Sequence, residues 1–103
     1  MSNTTHEITI ERNVATYSVY RDGEYVGWIE PYRDIVLGLV ESYGYEVQLP
    51  NGQTASGNFQ VSTLRPVRST LAATKRTVKA VAAADSLAQA KDIVTREKTK
   101  VGA

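Results

Sequence analysis

The basic residues between positions 65 and 79 are the side chains of this sequence best suited to a chemical role. Five of them occur there without an intervening acid: Arg65, Arg68, Lys75, Arg76 and Lys79. On a helix with about 100° per residue, these positions span an arc of about 100°. Because unneutralised like charges repel, such a face favours a polyanion, and guanidinium groups bind phosphates bidentately. We therefore predict contact with nucleic acid. The alternatives are that the basic face binds an acidic host protein, or that it is solvated or paired with acids of the same chain.

Tyrosine is the second residue type with a candidate binding role, since the chain has six tyrosines against one Phe and one Trp. Tyr20 and Tyr25 flank Asp22-Gly23, a strong hairpin signal because a type I′ turn needs positive φ at both central positions. The two tyrosines then oppose each other and are candidates for binding a partner, by stacking or by filling a groove. Ordinary cross-strand packing is the alternative.

The same hairpin predicts which side chains face the core. Strand side chains alternate between faces, and a regular two-residue loop places Tyr17 opposite Trp28 and Val19 opposite Val26. We expect these four residues to form the core face. Tyr20, Tyr25 and Ile29 then lie on the other face.

Three further segments are expected in the sheet. Glu7 to Glu11 alternates between polar and apolar residues, as a separate short strand or as the start of the first long one. Residues 43–49 and 54–61 flank a turn signal at 50–53 and are predicted as a pair of strands. Periodicity does not assign Ile35 to Val40, and we favour a strand there because Pro31 and Gly38 disfavour a helix.

After Pro66 the pattern becomes helical, since residues 67–101 contain neither Gly nor Pro. Two apolar stripes follow helical spacing: Val67, Leu71, Thr74, Val78 and Val81, then Leu87, Ala90, Val94, Glu97 and Val101. Asp85-Ser86 between them is typical of a break with an N-cap. One helix over about 67–99, two shorter helices, or a strand at 77–83 remain open.

Together these segments predict one α+β domain over residues 1–103. An antiparallel sheet of about four strands occupies 7–61, and one long or two shorter C-terminal helices within 66–99 cover one face. Residues 1–6 are expected to form a flexible tail, and residues 100–103 a frayed one.

Charge is distributed unevenly along the chain. The first fifty residues carry eight acids and three bases, a net charge of −5, whereas the remaining fifty-three carry nine bases and three acids, a net charge of +6. This asymmetry indicates an anionic partner for the basic half, or attraction between the halves within one fold.

Composition disfavours catalysis. The chain has no cysteine, and its single histidine, His6, lies in the expected tail. Without a positioned acid or base we predict no enzyme activity, and we expect neither a metal site nor a cofactor. No apolar run approaches the roughly 20 residues that span a membrane, so no membrane partner is expected. The N-terminus shows no signal-peptide pattern, which predicts a cytoplasmic location.

The segment Tyr17-Ser-Val-Tyr-Arg-Asp-Gly23, followed by Val26-Gly27 and Ile29, resembles the opening of AP2-like DNA-binding domains of phage and mobile-element proteins. Small proteins of actinobacterial phages look similar, and residues 85–94 resemble the helix that packs on such a sheet. The resemblance implies a three-stranded sheet plus a helix. AP2-like domains read DNA with the sheet, whereas here the positive charge lies on the predicted helix, so no residue is carried over as a base reader.

The leading expectation is a small non-enzymatic binding protein of phage or mobile-element type that contacts nucleic acid through the five bases. The alternative is a protein-interaction module, either an inhibitor of a host or defence enzyme or an assembly component, that uses the tyrosine-rich sheet face. The helical segment is also a candidate for homodimer formation through an apolar seam.

Overall fold

The structure is a computed structural model that describes the backbone of residues 5–102 and the side chains of residues 5–99. Five strands are followed by two helices: β1 (Ile8–Arg12), β2 (Tyr17–Arg21), β3 (Glu24–Arg33), β4 (Val40–Gln48), β5 (Thr54–Gln60), α1 (Val67–Ala82) and α2 (Leu87–Gly102). The strands pair antiparallel in chain order, β1-β2-β3-β4-β5. The predicted α+β class is confirmed, with five strands instead of about four because Ile8–Arg12 is a strand of its own.

Both helices pack on one face of the sheet, and the core lies between the two layers. The strands contribute large buried side chains, among them Val19, Ile29 and Val47, while α1 contributes Val78 and Val81. The buried face of α1 matches the predicted stripe only in part. Thr74, Val78 and Val81 are fully buried as expected, but Val67 is 40% exposed and Leu71 is half-buried. Thr70, which lies outside the predicted stripe, is fully buried instead. Each threonine hydroxyl donates a hydrogen bond of 2.7 Å to a preceding carbonyl, which allows its burial.

The prediction that Trp28 lies on the core face of the first hairpin is wrong. Tyr20 opposes Tyr25 as expected, but Ser18 opposes Trp28 and Tyr17 opposes Ile29, because the register shifts beyond Tyr20. The shift is a β-bulge at Val26, where β3 has one residue more than β2. As a result Ile29 is fully buried in the core, and Trp28 lies on the same face as Tyr20 and Tyr25.

The predicted strand at Ile35–Val40 is also wrong, apart from Val40 itself. Residues 34–39 form a compact loop in which the Asp34 carboxylate accepts hydrogen bonds from the amides of Leu37 and Leu39. Gly38 permits this turn with a φ of 69°. Ile35 and Val36 are 100% and 89% exposed, so an apolar run here marks solvent-facing side chains and not a core strand.

Residues 83–86 separate the two helices, which settles the choice left open by the sequence, and residues 77–82 are helical instead of a strand. The α2 helix extends through Gly102, beyond the predicted helix end at residue 99. His6 belongs to the folded hairpin: its Nδ1 lies 2.7 Å from Asp22 Oδ2. This contact and the amide of Glu7 hold the pKa of the Asp22 carboxyl below its usual value. Residues 1–4 of the expected tail and Ala103 lie outside the described residues.

Arg21 links the C-terminal end of α1 to the sheet through hydrogen bonds. Its Nη1 donates hydrogen bonds to the carbonyls of Gln48 at 2.8 Å and of Ala82 at 3.0 Å, so a cation caps the C-terminal end of α1. We expect Arg21→Met, which keeps the stem but removes the donors, to lower the free energy of unfolding by about 1.5–3 kcal/mol. Urea unfolding measures this change. Arg12→Met, at an exposed strand end, is the control, and an equal loss there would contradict the capping role.

Candidate nucleic-acid interface

Two of the five predicted basic residues bind a carboxylate of α2, and the other three do not. Taking Arg68 as the reference, Lys75 and Lys79 lie within about 20° of it around the helix, whereas Arg76 lies about 80° away. Arg76 contacts α2, and Arg65 reaches the same place from just before the helix. The five residues therefore form a group of three and a group of two.

The group of two is built around a buried carboxylate. Glu97 Oε2 lies 2.6 Å from Arg76 Nη2 and 3.4 Å from Arg65 Nη2. The side chains of Glu97 and Arg65 are 7% and 10% exposed, while that of Arg76 is 59% exposed. A guanidinium held on a buried carboxylate joins α1 to α2, so Arg65 has a structural role and Arg76 offers only part of its charge to a partner.

Sequence reasoning did not identify Glu97 as a functional or structural site. Glu97 lies in the apolar stripe of α2, between Val94 and Val101. An acid at such a position is the sequence signal that indicates a buried ion pair. A single acid on a buried stripe needs a positive partner, because an unpaired buried charge is costly. The nearby excess of arginine supplies that partner from 21 and 32 residues away.

The group of three, which we call the β1 flank, consists of Arg68, Lys75 and Lys79. Arg68 and Lys79 are exposed and Lys75 is half-buried. Lys75 Nζ lies 4.4 Å from the centroid of the Tyr17 ring, a cation–π distance that holds its ammonium in place without neutralising it. Among the described residues, none of the three forms an ion pair with a carboxylate.

An acid, Glu7, lies near the Lys79 end of the β1 flank. Lys79 and Arg76 line a shallow cleft between α1 and β1 together with Glu7. The first turn of α1 has no acidic residue, although the helix dipole favours acids there, and Arg68 occupies its second position. A base at this end does not stabilise the helix.

Tyr20 and Tyr25 form the cross-strand pair that the sequence predicts. Their ring centroids are 5.9 Å apart at an interplanar angle of 72°, an edge-to-face contact. Tyr25 is 57% exposed. The pair lies on the sheet face opposite the helices, so it belongs to a different surface from the β1 flank.

A groove of about 360 Å³ lies between α2 and β5 and is lined by Tyr45, Ser56, Leu87 and Lys91, among others. Burial raises the pKa of the Tyr45 phenol above its usual value, so it stays protonated at neutral pH. The lining includes no carboxylate or histidine. The described residues contain no group of three acidic, histidine or cysteine side chains arranged to hold a metal ion.

No protein family, curated protein or solved structure matches this chain. The resemblance to AP2-like domains and to phage proteins therefore stays a prediction. Within residues 5–102, neither helix has the length and apolar character needed to cross a membrane.

Proposed function

We propose that this protein is a small non-enzymatic binding protein, of phage or mobile-element type, that contacts nucleic acid through the β1 flank of α1. One observation carries the proposal: Arg68, Lys75 and Lys79 form a row along one side of a packed helix, and none of them forms an ion pair with a carboxylate of the described residues. The row replaces the five-residue face expected from the sequence, since Glu97 already binds Arg65 and Arg76.

The dimensions of the row suit a phosphate backbone. With a rise of 1.5 Å per residue, Arg68 and Lys79 are separated by about 16 Å along the helix axis. A B-DNA strand presents about five phosphates over that length, so each of the three cations can meet one. The contacts are to phosphates, which makes the expected binding strong at low salt and independent of base sequence.

The salt dependence of binding tests this proposal. For three duplex phosphates we expect the logarithm of the association constant to fall with the logarithm of salt concentration with a slope of about −2.7. Replacing the row with glutamine, as Arg68→Gln/Lys75→Gln/Lys79→Gln, should remove both the binding at 50 mM salt and the slope. Fluorescence anisotropy with labelled duplex and single-stranded DNA measures both quantities.

The chain offers a matched control on α2. Lys91→Gln/Arg96→Gln/Lys98→Gln changes the net charge equally but leaves the β1 flank intact. We expect it to retain most of the binding, because 50 mM salt screens charges more than about 14 Å away. Circular dichroism verifies that both variants are folded. Equal losses in the two variants, or no binding by the wild type at 50 mM salt, would reject the proposal. Equally tight binding of polyglutamate would instead identify an acidic protein as the partner.

A further inference from the structure

The outer face of the sheet, which no described helix covers, combines aromatic rings with negative charge. The bulge at Val26 places Trp28 on this face beside the pair formed by Tyr20 and Tyr25, and Tyr32 follows further along β3. Tyr25 and Tyr32 are 57% and 47% exposed, and Trp28 is half-buried. Four rings on one exposed sheet face form a surface of the kind enriched at protein interfaces.

Among the strand residues, every charged side chain on this outer face is an acid. The strand register assigns Glu11, Glu30 and Glu46 to it, whereas the three strand bases, Arg12, Arg21 and Arg33, occupy positions on the helix side. The remaining outer positions of β4 and β5 carry small or uncharged polar residues. The charged positions on the outer face are therefore all negative, whereas the three cations of the β1 flank lie in the helical layer.

Trp28 stands among these carboxylates. Glu46 is its direct cross-strand partner, which brings the two Cβ atoms to about 5 Å, and Glu30 is two residues further along β3, about 7 Å away. Gly44 is the cross-strand partner of Glu30, and the Tyr32 ring lies over Gly44. A Cβ built on Gly44 would be 2.5 Å from Tyr32 Cε2. An indole flanked by two carboxylates attracts a cation both through its π face and through charge.

We propose that this outer face binds a lysine- or arginine-rich segment of a partner protein, with one basic side chain seated on Trp28 between Glu30 and Glu46. Charge complementarity selects this occupant. A nucleic acid is repelled by the three carboxylates, and an uncharged apolar partner would bury them without a counter-charge, which is unfavourable. The surface is distinct from the β1 flank and does not depend on the proposed contact with nucleic acid.

Trp28 is the only tryptophan of the chain, so its fluorescence reports on this site directly. The probe is a ten-residue peptide of alternating arginine and serine, titrated at low salt against a peptide of alternating glutamine and serine. We expect a saturable change in Trp28 emission with the basic peptide only. Glu30→Gln/Glu46→Gln should weaken the binding about tenfold, and Tyr25→Ser about threefold.

The control removes two acids from outside the outer face. Glu24→Gln/Asp85→Asn changes the net charge by the same amount, and we expect it to bind the basic peptide as the wild type does. Equal weakening in both double variants, or no emission change with the basic peptide, would overturn the proposal. Sedimentation provides the second measurement. Low-salt self-association that disappears in Arg68→Gln/Lys75→Gln/Lys79→Gln would overturn it in favour of a second copy of this chain.

Discussion

Replacing Glu97 with alanine is expected to lower the free energy of unfolding by about 3–5 kcal/mol, the range for removing one partner of a buried ion pair. The carboxylate lies between two guanidinium groups, and Arg65, only 10% exposed, would keep its charge without a counter-charge. Loss of the bridge also removes a direct link between α1 and α2, which pack against each other. Urea unfolding followed by circular dichroism measures the change.

Two comparisons separate the effect of the unpaired charge on stability from the effect of lost packing. Arg65→Met/Glu97→Leu removes both buried charges while roughly conserving volume, and we expect it to be far less destabilised than Glu97→Ala, because apolar replacements of buried pairs are often neutral. Asp92→Ala breaks an exposed ion pair of 3.0 Å with Arg96 and should change stability by less than about 0.5 kcal/mol. If Glu97→Ala is no more harmful than Asp92→Ala, the bridge does not stabilise the helix pair.

Replacing Gly27 with alanine is expected to destabilise the protein by about 3 kcal/mol or more, at the upper limit of overpacking effects. A Cβ built on Gly27 would lie 2.1 Å from the carbonyl oxygen of Glu46 and 2.8 Å from the Cα of Val47. Both atoms are backbone, so β3 and β4 would have to separate at the bulge. Thermal unfolding, followed by the change in Trp28 fluorescence emission, measures the effect.

Gly44 provides the matched control, since it too is a glycine within the pairing of β3 and β4. A Cβ there would lie 2.5 Å from a ring carbon of Tyr32. This ring is 47% exposed and can swing away, so we expect Gly44→Ala to cost less than about 1 kcal/mol. Similar losses for both substitutions would show that the close approach of backbones at Gly27 is unimportant.

The two proposed surfaces lie on opposite sides of a two-layer molecule. The β1 flank presents three cations, and the outer sheet face presents three carboxylates beside four aromatic rings. Their binding tests are independent, because the DNA titration changes only bases and the peptide titration changes only acids and a tyrosine. If both proposals hold, a single small domain can join a polyanion on one side to a basic protein segment on the other.

The candidate surfaces were only partly predictable from the sequence. The basic cluster and the Tyr20–Tyr25 pair are visible in the residue pattern, and the pair forms as expected. The sequence pattern places Trp28 on the wrong face, because one extra residue in β3 reverses the alternation and nothing in the local sequence distinguishes a bulge from a regular ladder. The predicted basic face was divided because the partner of Arg65 and Arg76 lies on another helix.

Local chemistry alone determined the Asp22-Gly23 turn, the helical character of the chain after Pro66 and the α+β class, because turn preferences and residue periodicity act over a few neighbouring residues. The tertiary structure alone decided that Glu97 neutralises two arginines, that Ile35 faces solvent and that Trp28 lies on the outer face. Each of these outcomes depends on which distant segments come into contact, and burial and charge pairing between such segments are properties of the assembled layers.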